Sequence, residues 1–318
     1  MSLRSALAGC LLAAVILFAT ACSQPSTSLP PLPAAPARPP TLSPPPLAAQ
    51  ECNRRVSLRP RDPLPAPGAM PSGSTMARIA NRGYLIAGIN QDTQAFSFRD
   101  DNLRLQGFDV DIVRDIAESI FGDRERVVYR QLNIADRLTA VRSGEVDLVV
   151  ATVSITCQRR EQVDFSSVYL ETGQRVLVNR GSGFADLAGL AGHRVCSSRG
   201  ATGWATLQAA APRLVPVGVP ATTDCLALMQ LGQVDAVCAD DTTLASLAVQ
   251  DPRTEIVGPR ITEESYGVAI KKDTPDLVRF VNGLLERRAA DGRWRASYQH
   301  WLTLLGPPPS PPAPQYQD

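Results

Sequence analysis

Leu138-Thr-Ala-Val-Arg-Ser-Gly-Glu-Val-Asp-Leu-Val-Val-Ala-Thr152 and Leu226-Ala-Leu-Met-Gln-Leu-Gly-Gln-Val-Asp-Ala-Val-Cys-Ala-Asp240 are two copies of one short unit. Each reads as a helix end, a Gly stop, a Val-Asp pair and an apolar strand. Gly suits the left-handed position that closes a helix. Residues 146–151 and 234–239 are near-continuous apolar runs, the pattern of strands covered on both faces. Two such units in one chain predict two α/β lobes of the same architecture. Ligands of open α/β sheets gather at the carboxyl ends of strands. Those ends are Ala151-Thr152 and Ala239-Asp240. The repeat therefore predicts a cleft between two lobes.

Working outward, Tyr84 to Ile89 reads as a short apolar strand, followed by the polar loop Asn90 to Thr93. Gly107-Phe-Asp-Val-Asp111 opens a helix in which Asp109 is placed to cap and Asp111 sits in the positive first turn. Val110, Val113, Ile116, Ala117 and Ile120 fall on one face at helical spacing. Tyr169–Val178 and Tyr266–Ile270 read as crossing strands between the lobes. Residues 275–289 are amphipathic, and 294–305 form a closing helix. Two crossings return the last helices to the first lobe.

The ends of the chain are of another kind. Arg4, an apolar run from Ala6 to Phe18 and the small residues Ala19-Thr-Ala21 before Cys22 resemble a lipoprotein signal. Residues 1–21 are thus expected to be removed and Cys22 lipidated, although Ala19 stands where such signals usually carry Leu. Residues 22–75 contain the lipidated Cys and a tether rich in Pro, Ala and Ser, too poor in bulky apolar side chains to build a core. At about 3.1 Å per residue in a polyproline helix, it would hold a domain tens of ångströms from a membrane. Residues 307–318 are expected to be a disordered Pro-rich tail. The expected lobes are 76–172 with 267–306, and 173–266.

Net charge is +1, which gives no reason to expect nucleic acid or a strongly acidic partner. Of the seven cysteines, Cys10 leaves with the signal and Cys22 takes lipid. An exported chain permits disulfides. Position along the chain suggests Cys196–Cys225 and Cys52–Cys157, with Cys238 a buried free thiol; spacing alone leaves connectivity open. His193 and His300 are isolated, so neither a metal nor a cofactor is expected.

Gly107-Phe-Asp-Val-Asp111, Val146-Asp-Leu148, Ser154-Ile-Thr156 with Arg159, Val163-Asp-Phe-Ser166 and Tyr266-Gly-Val-Ala269 occur in one order. This set resembles the extracytoplasmic amino-acid-binding proteins of ABC uptake systems, solute-binding family 3, and within it the glutamine-binding lipoproteins of actinobacterial type. The resemblance implies a two-lobed periplasmic-binding-protein fold of class II with two crossing hinge strands. It implies a monomer that closes on a free amino acid and presents it to an ABC permease. Arg159 matches the arginine that forks onto the ligand carboxylate, a geometry Lys does not copy. Ala201 and Thr202 match positions whose backbone N–H groups add to the carboxylate. Asp240 matches the acid that holds the ammonium. Ala151, Thr152 and Ser154 match the strand-end positions of the first lobe, with Ala151 accepting from the ammonium and Ser154 donating to the carboxylate.

Departures from the family pattern bear on the ligand side chain. Asn90 stands for a usual Asp, with Asp92 nearby. Thr93 and Ile134 replace aromatic residues, and Ser198, beside Arg199, replaces a Lys. Loss of a negative charge at Asn90 predicts tolerance of acidic ligands: aspartate or glutamate, with their amides. Two other classes compete. The loaded lobes could signal to a transmembrane sensor instead of feeding a permease, and docking surfaces are not motif-coded. The same fold also occurs in cyclohexadienyl dehydratases, which need a cleft acid for catalysis. Glu171, Glu263 and Glu264 lie near the crossings without forming a pair of clear role, and no enzyme is expected.

Overall fold

The computed structural model describes residues 52–61 and 63–317; the expected signal segment, Cys22 and the tether as far as residue 51 lie outside them. The first lobe opens with β1 (Val56–Leu58) and α1 (Thr75–Arg82), whose first turn is capped by the Ser74 hydroxyl accepting from the Ala77 N–H. It continues through β2 (Leu85–Ile89), the hairpin of β3 (Phe98–Arg99) and β4 (Leu105–Gln106), α2 (Phe108–Phe121), β5 (Val127–Gln131), α3 (Arg137–Ser143), β6 (Leu148–Val149), the single turn α4 (Cys157–Arg160) and β7 (Asp164–Phe165). A first crossing strand, β8 (Leu170–Thr172), enters the second lobe. There follow β9 (Gln174–Asn179), β10 (Arg194–Ser198), α5 (Thr202–Ala210), β11 (Val215–Val219), α6 (Thr222–Gln230), β12 (Ala236–Asp240), α7 (Asp241–Gln250) and β13 (Thr254–Val257). The chain returns on β14 (Glu264–Tyr266) and ends with β15 (Ala269–Ile270), α8 (Pro275–Ala290), α9 (Arg293–Trp301) and β16 (Gln315–Gln317).

The two main sheets share one plan. Their orders are β5-β2-β6-β15-β7 and β11-β10-β12-β9-β13. In each, three parallel strands are followed by a strand that arrives from a crossing and pairs antiparallel on both sides. The crossings themselves pair antiparallel, with Glu264 opposite Thr172 and Tyr266 opposite Leu170.

The repeated Val-Asp has a structural cause. The Asp147 carboxylate accepts from the Ile86 N–H at 2.8 Å, while the Asp147 N–H donates to the Ile86 carbonyl. In the second lobe, Asp235 does the same with Arg194, again at 2.8 Å. Each Asp thus satisfies the strand beside it where the regular ladder begins, and so sets the register of β6 against β2 and of β12 against β10. The Gly stops differ slightly. Gly144 closes α3 at φ 81°, whereas α6 ends on Leu231 and the left-handed residue is Gly232.

The α2 face expected from spacing is wholly buried: Val113, Ile116, Ala117 and Ile120 lie with Phe108, Leu148 and Val268 in the first-lobe core, and Val110 packs with Ile89 and Leu105. Phe96 belongs to the first-lobe core, edge-on to Phe108 and Tyr266. Asp109 does not cap α2: Gly107 occupies the N-cap, and the Asp109 carboxylate accepts from the Thr152 N–H and the Tyr169 hydroxyl. Asp111 accepts from Ser297 and Trp301, tying α2 to α9.

The expected strand 169–178 is two strands divided at Gly173. A Cβ there would lie 2.3 Å from the Thr262 carbonyl oxygen, so the close passage of the two crossings requires glycine. The closing helix ends at Trp301 and passes into a 3-10 turn over Thr303–Leu305.

The ends of the chain differ from the sequence expectation. The tether was expected to run to residue 75, yet β1 lies on the first lobe: Ser57 Oγ donates to the Phe165 carbonyl, and Asn282 Nδ2 donates to Ser57 Oγ and the Leu58 carbonyl. The tail was expected to be disordered from 307. Instead β16 pairs parallel with β1, Val56 opposite Gln315. The Tyr316 hydroxyl donates to Glu286 and its ring faces the Arg59 guanidinium. Prolines have little backbone freedom to lose on ordering, and partners distant in sequence supply the contacts. Cys52–Cys157 and Cys196–Cys225 are disulfides with Cα–Cα separations of 5.7 and 5.6 Å, and Cys238 is free and buried.

Candidate functional site

The carboxyl ends of β6 and β12 meet at a cavity of about 40 Å³ between the lobes. That is room for the centres of a few waters, each needing roughly 10–15 Å³. The lobes are closed around it. Arg159 Nη2, from the first lobe, donates to the Gly200 carbonyl of the second at 2.9 Å. Ser246 Oγ donates to the Gln94 carbonyl at 2.6 Å. Gly200 sits at φ 82°, where a Cβ would come 2.7 Å from the Ala135 Cα, so a side chain would hold the lobes apart.

From the first lobe the wall is built by Asn90 and Thr93 beyond β2, Ile134 and Arg137 at the start of α3, Thr152 and Ser154 beyond β6, and Arg159 in α4. Thr152 holds a left-handed backbone at φ 48°, a costly conformation for a β-branched residue. Its N–H is held at 2.8 Å by Asp109, which burial raises to a pKa of about 7. Arg159 is 9% exposed, and its Nη1 donates to the Ser154 carbonyl at 2.7 Å. Asn90 is pinned between the Leu132 carbonyl and the Asp92 N–H and carries no charge to the cavity.

From the second lobe, the N-termini of α5, α6 and α7 open onto the same space through Ala201 and Thr202, Thr222, and Asp240 with Thr243. Helix N-termini present uncapped N–H groups and a positive partial charge to an anion. At α5 the N-cap is Ala201, whose side chain cannot accept a hydrogen bond, so the first N–H groups have no side-chain cap. Asp240 accepts from the Tyr266 hydroxyl at 2.6 Å and from Ser154 Oγ at 3.5 Å. Burial, reinforced by Glu264, raises its pKa to about 7. Asp241, in the first turn of α7, accepts from Thr172 Oγ1 and Arg260 Nε and ties α7 to the hinge.

Two residues expected at the site do not line the cavity. The Ala151 carbonyl accepts from Arg137 Nη1. Ser198 is buried behind the wall, sharing a 2.6 Å hydrogen bond with Thr222. Sequence reasoning missed Arg137, as it did Thr222 and Thr243 on the second-lobe wall. Arg137 carries the charge. It is 5% exposed, its Nε donates to the Ile134 carbonyl, and burial together with Arg159 lowers its pKa to about 10. One signal was present: a cation in the first turn of a helix opposes the macrodipole and asks for another cause. The ionisable side chains on the cavity wall are Arg137, Arg159 and Asp240, with Glu264 and Asp109 acting on them from behind it. Among the described residues, no group of three or more His, Cys, Asp or Glu side chains is placed to hold a metal. No described helix is long and apolar enough to cross a membrane.

Comparison with known proteins agrees with this geometry. Residues 85–304 match the bacterial extracellular solute-binding proteins, family 3. The glutamine-binding protein GlnH of an ABC transporter of Bacillus subtilis is 30% identical over 72% of this chain and 84% of its own length. The glutamate-binding protein GluB of Corynebacterium efficiens is 30% identical over 76% of this chain and 84% of its own. The solved solute receptor for L-cysteine of Neisseria gonorrhoeae superposes with a TM-score of 0.70 at 29% identity, covering 73% of this chain and 96% of the receptor. These relatives are binding proteins rather than enzymes. With its two lobes, paired crossing strands and polar cleft, the chain belongs to the family 3 bacterial extracellular solute-binding proteins.

Proposed function

We propose that the protein binds a free amino acid with an acidic side chain, closes its lobes on it and presents it to an ABC permease. The observation that carries this reading is the set of charges on one small cavity. Arg159 comes from the first lobe, Asp240 from the second, and Arg137 is a second guanidinium on the wall, where Asp240 is the one carboxylate among the lining side chains. The ligand carboxylate lies in the fork of Arg159 and on the N-terminus of α5. The ammonium pairs with Asp240 and returns it to the ionised form. Arg137 then takes a side-chain carboxylate, with Asn90 and Thr93 contributing a wall without negative charge. The names of the relatives support an amino acid of this size, since both glutamine and glutamate binders are among them. The wider fold also serves cysteine, so the cavity rather than the family argues for the acid.

Calorimetry against the twenty amino acids, after unfolding and refolding to strip bound ligand, tests the reading. Tight binding of glutamate or aspartate is expected; binding of glutamine alone would refute the acidic assignment, and heat with none would refute the clamp. We further propose lipidation at Cys22, by which the tether holds the domain to the outer face of the membrane. Incorporation of labelled fatty acid that is lost in Cys22→Ala checks this. Ligand-stimulated ATP hydrolysis by a co-reconstituted permease is expected; its absence would favour the sensor reading.

A further inference from the structure

Arg159 sits on an unusually slight support. α4 is a single turn, and one turn has no stability of its own in water. Within it, the Thr156 hydroxyl accepts from the Arg159 N–H at 3.1 Å. Its flanks are tied to the return strand and toward β7, the Ile155 N–H donating to the Ser265 carbonyl and the Val163 N–H to the Arg159 carbonyl. Residues 52–56 add two further ties. Cys157 is joined to Cys52 by the disulfide. Arg160 Nη2 donates to the Arg54 carbonyl at 2.9 Å and to the Val56 carbonyl. Residues three apart share one face of a helical turn, so Cys157 and Arg160 are gripped together while Arg159 is directed elsewhere, to the cavity. The gripping segment is itself anchored. β1 pairs with β16 and takes hydrogen bonds from Asn282. Arg55 pairs with Glu171 in the crossing strand β8.

We propose that residues 52–56 are a clamp that positions Arg159, with Cys157 and Arg160 as its two points of grip. The proposal rests on the reading of Arg159 as the carboxylate fork. A bidentate fork works only when held to within about 0.5 Å and 10–20° by its surroundings. The sheet and hinge hold only the flanks of the turn, through the Ser154–Tyr266 bridge and through β7 from Asp164, because β6 ends at Val149 and the backbone turns through the left-handed Thr152. The tether that sequence reads as a passive spacer therefore joins the domain two residues from the binding arginine.

The test compares L-glutamate with its α-amide, which lacks the carboxylate that Arg159 reads. Calorimetry on the full-length protein is run for wild type, Cys52→Ser/Cys157→Ser, Arg160→Ala and Arg160→Lys, at a temperature where circular dichroism shows each folded. Wild type should prefer glutamate. In the double variant and in Arg160→Ala, that preference should contract by about tenfold, or 1.4 kcal/mol. Arg160→Lys, which keeps a cationic donor on the same turn, should contract it less than Arg160→Ala. A preference unchanged in both clamp-breaking variants, whatever happens to their melting temperature, overturns the proposal and leaves the carboxylate reading intact. If the double variant does not fold, Arg160→Ala alone decides by the same ratio. A wild type that does not prefer glutamate, or an Arg159→Ala that keeps the preference, refutes the carboxylate reading and the clamp with it.

Discussion

Replacing Arg137 with Gln should change which ligand the protein prefers. The side chain is 5% exposed, and burial with Arg159 lowers its pKa to about 10. Breaking a hydrogen-bonded pair between buried opposite charges costs about 2–5 kcal/mol. A ligand carboxylate placed beside it recovers energy of that order; an amide does not. Arg137→Gln should therefore weaken glutamate by about 3 kcal/mol, or roughly 150-fold. It should affect glutamine far less. Arg137 also donates to the carbonyls of Ile134 and Ala151, so some loss common to both ligands is expected. The informative quantity is the ratio of the two dissociation constants, from calorimetry on wild type and variant at one pH and salt. A ratio that stays at the wild-type value would refute the assignment of Arg137 to the ligand side chain and return it to a structural role.

Asp240→Asn should weaken every amino acid ligand without changing their order, because it reads the ammonium they share; a changed order in a calorimetric panel would count against that role. Asp109 carries a pH dependence of stability. Its folded pKa of about 7 exceeds the unfolded value near 3.9, so the folded state binds the extra proton between them. Its contribution is fully present below about pH 4 and is lost as pH rises to 7, by about 4 kcal/mol if the site acts alone. Urea unfolding across that window should show Asp109→Asn with a flatter profile than wild type; parallel profiles would contradict it. The Cys196–Cys225 bridge closes a loop with a sequence separation of 29. Its removal by Cys→Ser substitution should cost about 3–4 kcal/mol in chemical denaturation.

The local signals that were legible in sequence were those with a local cause. The Gly stop, the Val-Asp pair and the apolar run each report backbone conformation or burial over a few residues. Asp147 and Asp235 show why the pair recurs: each carboxylate completes hydrogen bonding at the start of a neighbouring strand. The face of α2 was legible for the same reason, since helical period determines which side chains share a side. Asp109 was read differently, as a cap, because an acid in the first turn of a helix has that local use. It is spent instead on long-range partners, Thr152 and Tyr169.

By itself, then, the sequence determined two α/β lobes of one plan, a cleft at the ends of their central strands, and the chemical types set around it. Periodicity, turn residues and ordered motifs are enough for that, because strands and helices bury their faces in few ways. Tertiary structure alone decided that Arg137 reaches the cavity while Ser198 stands behind its wall. It also decided that the Pro-rich tail forms a strand with residues 56–58, and that Arg160, in the turn bearing Arg159, donates to the Arg54 and Val56 carbonyls. Each of these depends on where a loop side chain points, or on contacts between residues far apart in the chain, and neither leaves a period or a spacing in the sequence.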